Sequence, residues 1–223
     1  MGIKDFFSSE GRQRRRVESL TGKLCDRYGP SEERWSAADQ LAEIATDDAV
    51  YGMIRRFLAV SDKIAEDREE KRHVQDLLVQ LGAKAMPSIR SFIRREADAV
   101  LAVECLRRMQ SGDALVHELI AILHDVGPHA ARPDQITPVL AAMAEIKDTS
   151  GLEAALPYLE AYDDAIRLAA IDYLAKLGDQ RAKEPFLSIA NNEDTSPRIK
   201  ERILQALDIH GWLPKNPEKK KKK

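Results

Sequence analysis

One stretch limits what this chain can fold into more than any other: Asp163-Asp164-Ala165-Ile166-Arg167-Leu168-Ala169-Ala170-Ile171-Asp172-Tyr173-Leu174-Ala175-Lys176-Leu177-Gly178-Asp179. Ile166, Ala170, Tyr173, Leu174 and Leu177 fall on one stripe of a 3.6-residue period, with Asp163 placed to cap the start and Gly178 to close the end. Asp179 can cap a second helix, in which Ala182, Phe186 and Ile189 repeat the stripe before Asn191 to Asp194 breaks it. Two short amphipathic helices cannot bury their apolar faces alone. The hairpin therefore needs neighbours of its own kind.

Weaker copies supply them. Val17, Leu20, Leu24, Cys25 and Tyr28 give a lead-in helix, preceded by the basic run Arg12 to Arg16 and stopped by Gly29-Pro30. A first pair combines Trp35, Ala38, Leu41, Ala42 and Ala45 with Val50, Met53, Ile54 and Phe57. The charged stretch Ser61 to Arg72 reads as a long loop. A second pair uses Val74, Leu77, Leu78 and Leu81, then Met86, Ile89, Phe92 and Ile93, with Gly82 between them. Val100, Val103, Leu106 and Met109 with Val116, Leu119, Ile120 and Leu123 make a third. Ile136, Val139, Leu140, Met143 and Ile146 with Leu152, Ala155, Leu156 and Leu159 make a fourth, in which Pro157 is expected to kink the second helix. After the fifth pair, Ser196-Pro197 opens a sixth first helix, with Ile199, Ile203, Leu207 and Trp212 facing inward. Ends of first helices at Ile44, Leu81, Met109, Ile146, Leu177 and His210 are spaced by 37, 28, 37, 31 and 33 residues. The expected organisation is an amino-terminal arm and capping helix over 1–30, a repeat array over 31–213, and a disordered lysine-rich tail over 214–223.

Composition narrows the function classes. Apolar residues are 43% of the chain and aromatics only 5%, which suits small, aliphatic helix packing in an all-α protein. Cys25 and Cys105 have neither metal nor redox spacing and are expected as buried thiols of a reducing compartment. No stretch approaches the roughly 18 apolar residues of a membrane span. Met1-Gly2 suggests N-myristoylation, but Phe6 stands where that motif takes Ser or Thr. The cytoplasm is the expected location. Lys215 and Lys219 to Lys223 against Glu218 give the tail a net charge of +5, so the net −2 of the chain leaves −7 on the body. An acidic body argues against a dedicated nucleic-acid binder.

The Leu-Gly-Asp turn at Leu177 to Asp179, the Asp-Asp-x-x-Arg opening at Asp163 to Arg167 and the Ala-Ala-x-x-x-Leu centre at Ala169 to Leu174 together resemble HEAT repeats, particularly the short bacterial, armadillo-like kind. The resemblance implies a right-handed α-solenoid whose second helices line a concave surface for a protein partner. It also invites comparison with HEAT-like enzymes. Deoxyhypusine hydroxylase binds its di-iron centre through repeated His-Glu pairs, but only His117-Glu118 matches here. His117 and His124 stand two helical turns apart, about 10 Å along the axis, too far for easy joint ligation. His-Glu-Leu-Ile-Ala is not the zinc-protease motif, because position 121 is Ala121. The HEAT-like alkylpurine DNA glycosylases use a basic, aromatic groove that this acidic body lacks, and no pigment site like that of the phycobilin lyases can be read. Neither a glycine-rich phosphate loop nor a nucleophile motif is present. The expectation is a non-catalytic scaffold with no cofactor and no metal.

One cluster stands out for partner binding. The second helices of the first two pairs carry Arg55 and Arg56, then Arg90, Arg94 and Arg95, while later second helices carry Glu153, Glu160 and Glu184, with Lys183 the exception. Such a gradient favours a protein partner with acidic segments, through steering and bidentate pairing. The alternative is a nucleic-acid-associated or base-modifying array that uses the same arginines and the lysine tail. Five terminal lysines supply only weak, salt-sensitive attraction.

Overall fold

Each hairpin is punctuated by residues that accept the backbone a helix end requires. The computed structural model describes residues 9–213, so the start of the expected amino-terminal arm, with Met1-Gly2 and Phe6, and the lysine-rich tail lie outside the described residues. Twelve α-helices occur among them, and no strand. In chain order they are α1 (Ser9–Cys25), α2 (Ser31–Ile44), α3 (Asp47–Ile54), α4 (Ile64–Leu81), α5 (Met86–Arg95), α6 (Val100–Met109), α7 (Gly112–Val126), α8 (Pro133–Ile146), α9 (Leu152–Ala155), α10 (Asp164–Leu177), α11 (Lys183–Asn191) and α12 (Pro197–Ile209). The first helices α2, α4, α6, α8 and α10 end at the residues read from the sequence, and α12 ends one residue earlier, at Ile209.

The fifth hairpin folds as its caps dictate. Asp163 Oδ1 accepts the Ala165 amide at 2.7 Å, and Gly178 closes α10 at φ 65° by donating its amide to Leu174. Asp179 Oδ1 accepts the Arg181 amide at 3.0 Å and opens a 3-10 turn that leads into α11. Ile166, Ala170, Tyr173, Leu174, Ala182 and Phe186 are buried, as their spacing requires. Pro157 has the effect expected of a proline in a helix interior: α9 is cut short and the chain continues as a 3-10 helix over Leu156–Glu160.

The chain divides into two compact units, with the boundary between Leu115 and Val116. In the first, α2, α4 and α6 form one layer and α1, α3 and α5 the other, and the core lies between them. Val50, Met53, Ile54, Val74, Leu78, Ile89, Phe92 and Ile93 there are completely buried. In the second unit α8, α10 and α12 pack in sequence, with α11 against α12 and the 3-10 segment after α9 against α10. Trp212 is buried beside Phe186 and stacks on His210, ring centroids 4.6 Å apart.

Several expectations are corrected. The run Arg12 to Arg16 is not a flank but part of α1, which begins at Ser9. The charged stretch 61–72 is a loop only as far as Lys63; from Ile64 it is the first half of α4. Tyr28, Val100 and Trp35 lie at the surface rather than on the buried stripe, and Trp35 stacks on His73 instead.

Two first helices end on non-glycine residues in the left-handed region, Ala45 at φ 50° and Lys147 at φ 59°. Side chains there meet a steric penalty that glycine escapes. Ala45→Gly and Lys147→Gly should each raise stability in urea unfolding by about 0.5–1 kcal/mol. Gly178→Ala should lower it by at least as much, because an added Cβ would also meet His210 Cε1 at 2.9 Å.

Candidate functional site

The arginines singled out by the sequence part company where α3 runs into a 3-10 turn, Arg55–Phe57. That turn leaves Arg55 exposed and drives Arg56 inward, where it is 1% exposed. Arg56 is therefore corrected from a surface-binding residue to a core one. Its Nη2 donates to Asp67 Oδ1 at 2.6 Å and to Glu70 Oε2 at 2.9 Å, and Nη1 holds the Ala59 carbonyl at 2.8 Å. Arg34, also buried, approaches Glu70 from the other side: Nε to Oε2 and Nη2 to Oε1, at 2.8 and 2.9 Å, while Nη1 donates to the Asp26 and Gly29 carbonyls beyond α1. Ser31 adds a hydroxyl donor to Glu70, and Lys71 pairs with Asp67 at 2.9 Å. Burial pushes the Glu70 carboxyl up, but the bonds from Arg34, Arg56 and Ser31 outweigh it and hold its pKa below the ordinary 4.5. Asp67 is lowered in the same way, with Lys71 and Arg56 overcoming desolvation.

The remaining arginines stay at the surface of the α1, α3, α5 layer. On α5 the buried residues Met86, Ile89, Phe92 and Ile93 mark the core side. Arg94 and Arg95 are exposed in the last turn, where their charge complements the helix C-terminus, and Arg90 is half-buried. Two clefts flank Tyr51 on the α3 ridge. One, of about 310 Å³, runs between α1 and α3 and is lined by Arg14, Glu18, Gly22, Cys25, Tyr51 and Arg55 among others. The other, of about 260 Å³, lies between α3 and α5 and includes Asp47, Asp48, Tyr51, Ser91 and Arg95. Asp48, which lines both clefts, and Arg55, which lines the first, mark the two ends of this ridge, seven residues or about 10 Å apart along the axis. Tyr51 is pinned there: its hydroxyl donates to Glu96 Oε1 at 3.0 Å and its ring meets Phe92 edge-on. The structure thus brings Arg55 and Arg95 to neighbouring clefts, places Arg90 and Arg94 on the same helix as Arg95, and removes Arg56. Tyr51, Gly22 and the buried Glu70 were not singled out in the sequence.

Other candidates are more dispersed. His117 and His124 are exposed on α7, and among the described residues no group of three or more His, Cys, Asp or Glu side chains is placed to hold a metal. Cys105 is buried, its thiol pushed up to about 12 by desolvation. Cys25, expected in the core, is half-buried at the α1–α3 cleft, and burial raises its thiol against the pull of Arg55 and Arg56. In the second unit Glu153, Glu160 and Glu184 are all exposed, but Glu153 accepts Arg181 at 3.1 Å, so this acidic set is partly neutralised. No helix among the described residues is long and apolar enough to cross a membrane.

Residues 136–208 match the family model for HEAT repeats, a range that takes in α9, α10 and α11 and nearly all of α8 and α12. No curated protein matches the chain. The first unit, outside the matched range, is likewise all-α, with its helices packed in two layers.

Removing one partner of a buried ion pair leaves an uncompensated charge, which costs about 3–5 kcal/mol. Glu70→Gln should therefore destabilise the protein by a few kcal/mol, in the range of about 3–5, in chemical denaturation. The sign of the pH effect follows from the lowered pKa values. The stability contributed by Glu70 and Asp67 is complete above the ordinary carboxylate range and is lost as pH falls through their lowered folded values. Acid unfolding should be shallower in Glu70→Gln than in the wild type.

Proposed function

We propose that this chain, a HEAT-repeat protein, is a non-catalytic scaffold that binds another protein through the layer formed by α1, α3 and α5. HEAT repeats generally serve as protein-interaction scaffolds, and in the expected solenoid the second helices line the concave side. The observation that carries the reading is the arginine set on that layer: Arg55, Arg94 and Arg95 exposed and Arg90 half-buried, next to two clefts separated by Tyr51. Guanidinium groups in this position suit a partner with acidic segments, which they can steer at a distance and clasp bidentately on contact. Phosphate backbones as the main target would call for a broadly basic surface, and the body instead carries a net charge of −7. The cytoplasm is the setting this reading supposes.

The test is affinity capture from the native cell with mass spectrometry, run in parallel with wild type and an Arg55→Glu, Arg90→Glu, Arg94→Glu, Arg95→Glu variant of unchanged circular dichroism. Proteins bearing acidic segments should be recovered by the wild type and lost by the variant. Recovery of the same proteins by both would contradict the assignment. So would duplex DNA binding that survives physiological salt and disappears in the variant, which would favour a nucleic-acid role.

A further inference from the structure

We infer that the first two turns of α1, with the apolar residues just before them, seat this chain on an anionic membrane surface. The inference goes beyond the protein-partner reading and uses none of the arginines assigned to it.

The two halves of α1 differ in chemistry. Its buried residues are Val17, Leu20, Thr21 and Leu24, all in the second half, whereas none of the residues from Ser9 to Arg16 is buried. Those first residues run about 12 Å along the axis ahead of the core contacts. Helices in folded proteins are stabilised mainly by packing an apolar face, and this stretch has none to pack. It carries charge instead, with Arg12, Arg14, Arg15 and Arg16 against Glu10. Arg14 pairs with Glu18 at 3.3 Å and Arg16 Nη2 donates to Gln40 Oε1 at 3.2 Å, both contacts at the surface. Exposed contacts of this kind are worth little and are readily exchanged.

The layout of the cations favours a broad target. At about 100° per residue, Arg12 and Arg16 share one side of the helix, Arg14 lies nearly opposite and Arg15 falls between them. A site for one protein segment would gather its cations on one face. Cations all round a helix suit an extended anionic sheet, to which attraction depends on the charge brought near the surface rather than on paired geometry.

The preceding sequence says what kind of sheet. Residues 1–8 lie outside the described residues and read Met1-Gly2-Ile3-Lys4-Asp5-Phe6-Phe7-Ser8. Phe6 and Phe7 follow Ile3 by three and four positions, the spacing of an apolar helical stripe. Residues 1–16 together hold Lys4 and four arginines against Asp5 and Glu10, a net charge of +3 on a body of −7. A phosphate backbone has no place for three clustered apolar side chains, whereas the acyl boundary of a bilayer takes them up. Stable attachment to a membrane surface takes two signals, and an apolar insertion beside a polybasic patch supplies both.

The experiment sediments the full chain with phosphatidylcholine vesicles, with and without phosphatidylserine, at low and physiological salt. The chain should bind only the phosphatidylserine vesicles, and less tightly as salt rises. Arg12→Gln, Arg14→Gln and Arg16→Gln together should weaken binding at least about tenfold, since each basic residue near such a surface contributes about fivefold. Phe6→Ser with Phe7→Ser should weaken it by a similar factor, and Arg94→Glu with Arg95→Glu should leave it unchanged. Should the arginine variant fold poorly by circular dichroism, the phenylalanine variant and the salt titration of the wild type still decide. Failure to bind anionic vesicles would overturn the inference. So would binding that survives the arginine variant but is lost on deleting Lys219 to Lys223, or a loss confined to the arginine variant, which would mean charge attraction without insertion. Single-stranded DNA bound through the same arginines, with vesicles ignored, would overturn it in favour of nucleic acid. None of these outcomes bears on the acidic-partner reading, which rests on other arginines.

Discussion

A single carboxylate oxygen organises the amino-terminal unit. Glu70 Oε2 accepts Arg34 Nε at 2.8 Å and Arg56 Nη2 at 2.9 Å, so one atom of α4 joins α2 to the turn that follows α3. The two guanidinium groups also reach backbone: Arg34 the carbonyls of the α1–α2 loop, Arg56 the Ala59 carbonyl. Three cations, Arg34, Arg56 and Lys71, stand against three carboxylates, Glu66, Asp67 and Glu70, with little of the central trio exposed. Burying charge is costly, and it is sustained only when each charge is paired and its hydrogen-bonding capacity is used. Here that condition ties three helices and two loops to one geometry. An apolar contact of equal area, being non-directional, would tolerate sliding.

The candidate surface depends on this joint. Because Arg56 is committed to Glu70 and Asp67, the 3-10 turn after α3 has a fixed roll, and Arg55 is turned outward beside the α1–α3 cleft. The same roll sets Tyr51 on the ridge, where Glu96 at the end of α5 receives its hydroxyl. The α1–α3 spacing is set separately by Gly52 against Thr21. Core electrostatics and one close helix approach therefore position surface groups that do not contribute to the core themselves.

How far this was legible in the sequence varied with the chemistry of the stripe. Where the inward positions are apolar, as from Ile166 to Leu174 or from Met86 to Ile93, both the helices and their ends were plain. Where they are charged the signal fails: the inward positions of α4 continue back from Val74 through Glu70 and Asp67 at helical spacing, but charged residues read as solvent-facing, so the first half of this helix looks like a loop. The same logic misplaced Arg56, which shares its doublet with Arg55 and differs only in which way one turn rolls. Arg90, Arg94 and Arg95 were correctly placed on α5, because Ile89, Phe92 and Ile93 fix the opposite face. The clefts could not be read at all, since Gly22 and Gly52 look alike in sequence and differ only in what faces them.

Glu70 makes two separate segments act as one joint. Arg34 and Arg56 bond to a common oxygen, so a double-mutant cycle between Arg34→Met and Arg56→Met measures that joint directly. Non-additive losses are expected, with a coupling of about 1 kcal/mol or more in either direction, because the second substitution acts on a carboxylate already half released. Additivity to within about 0.3–0.5 kcal/mol, the behaviour of independent sites, would contradict it.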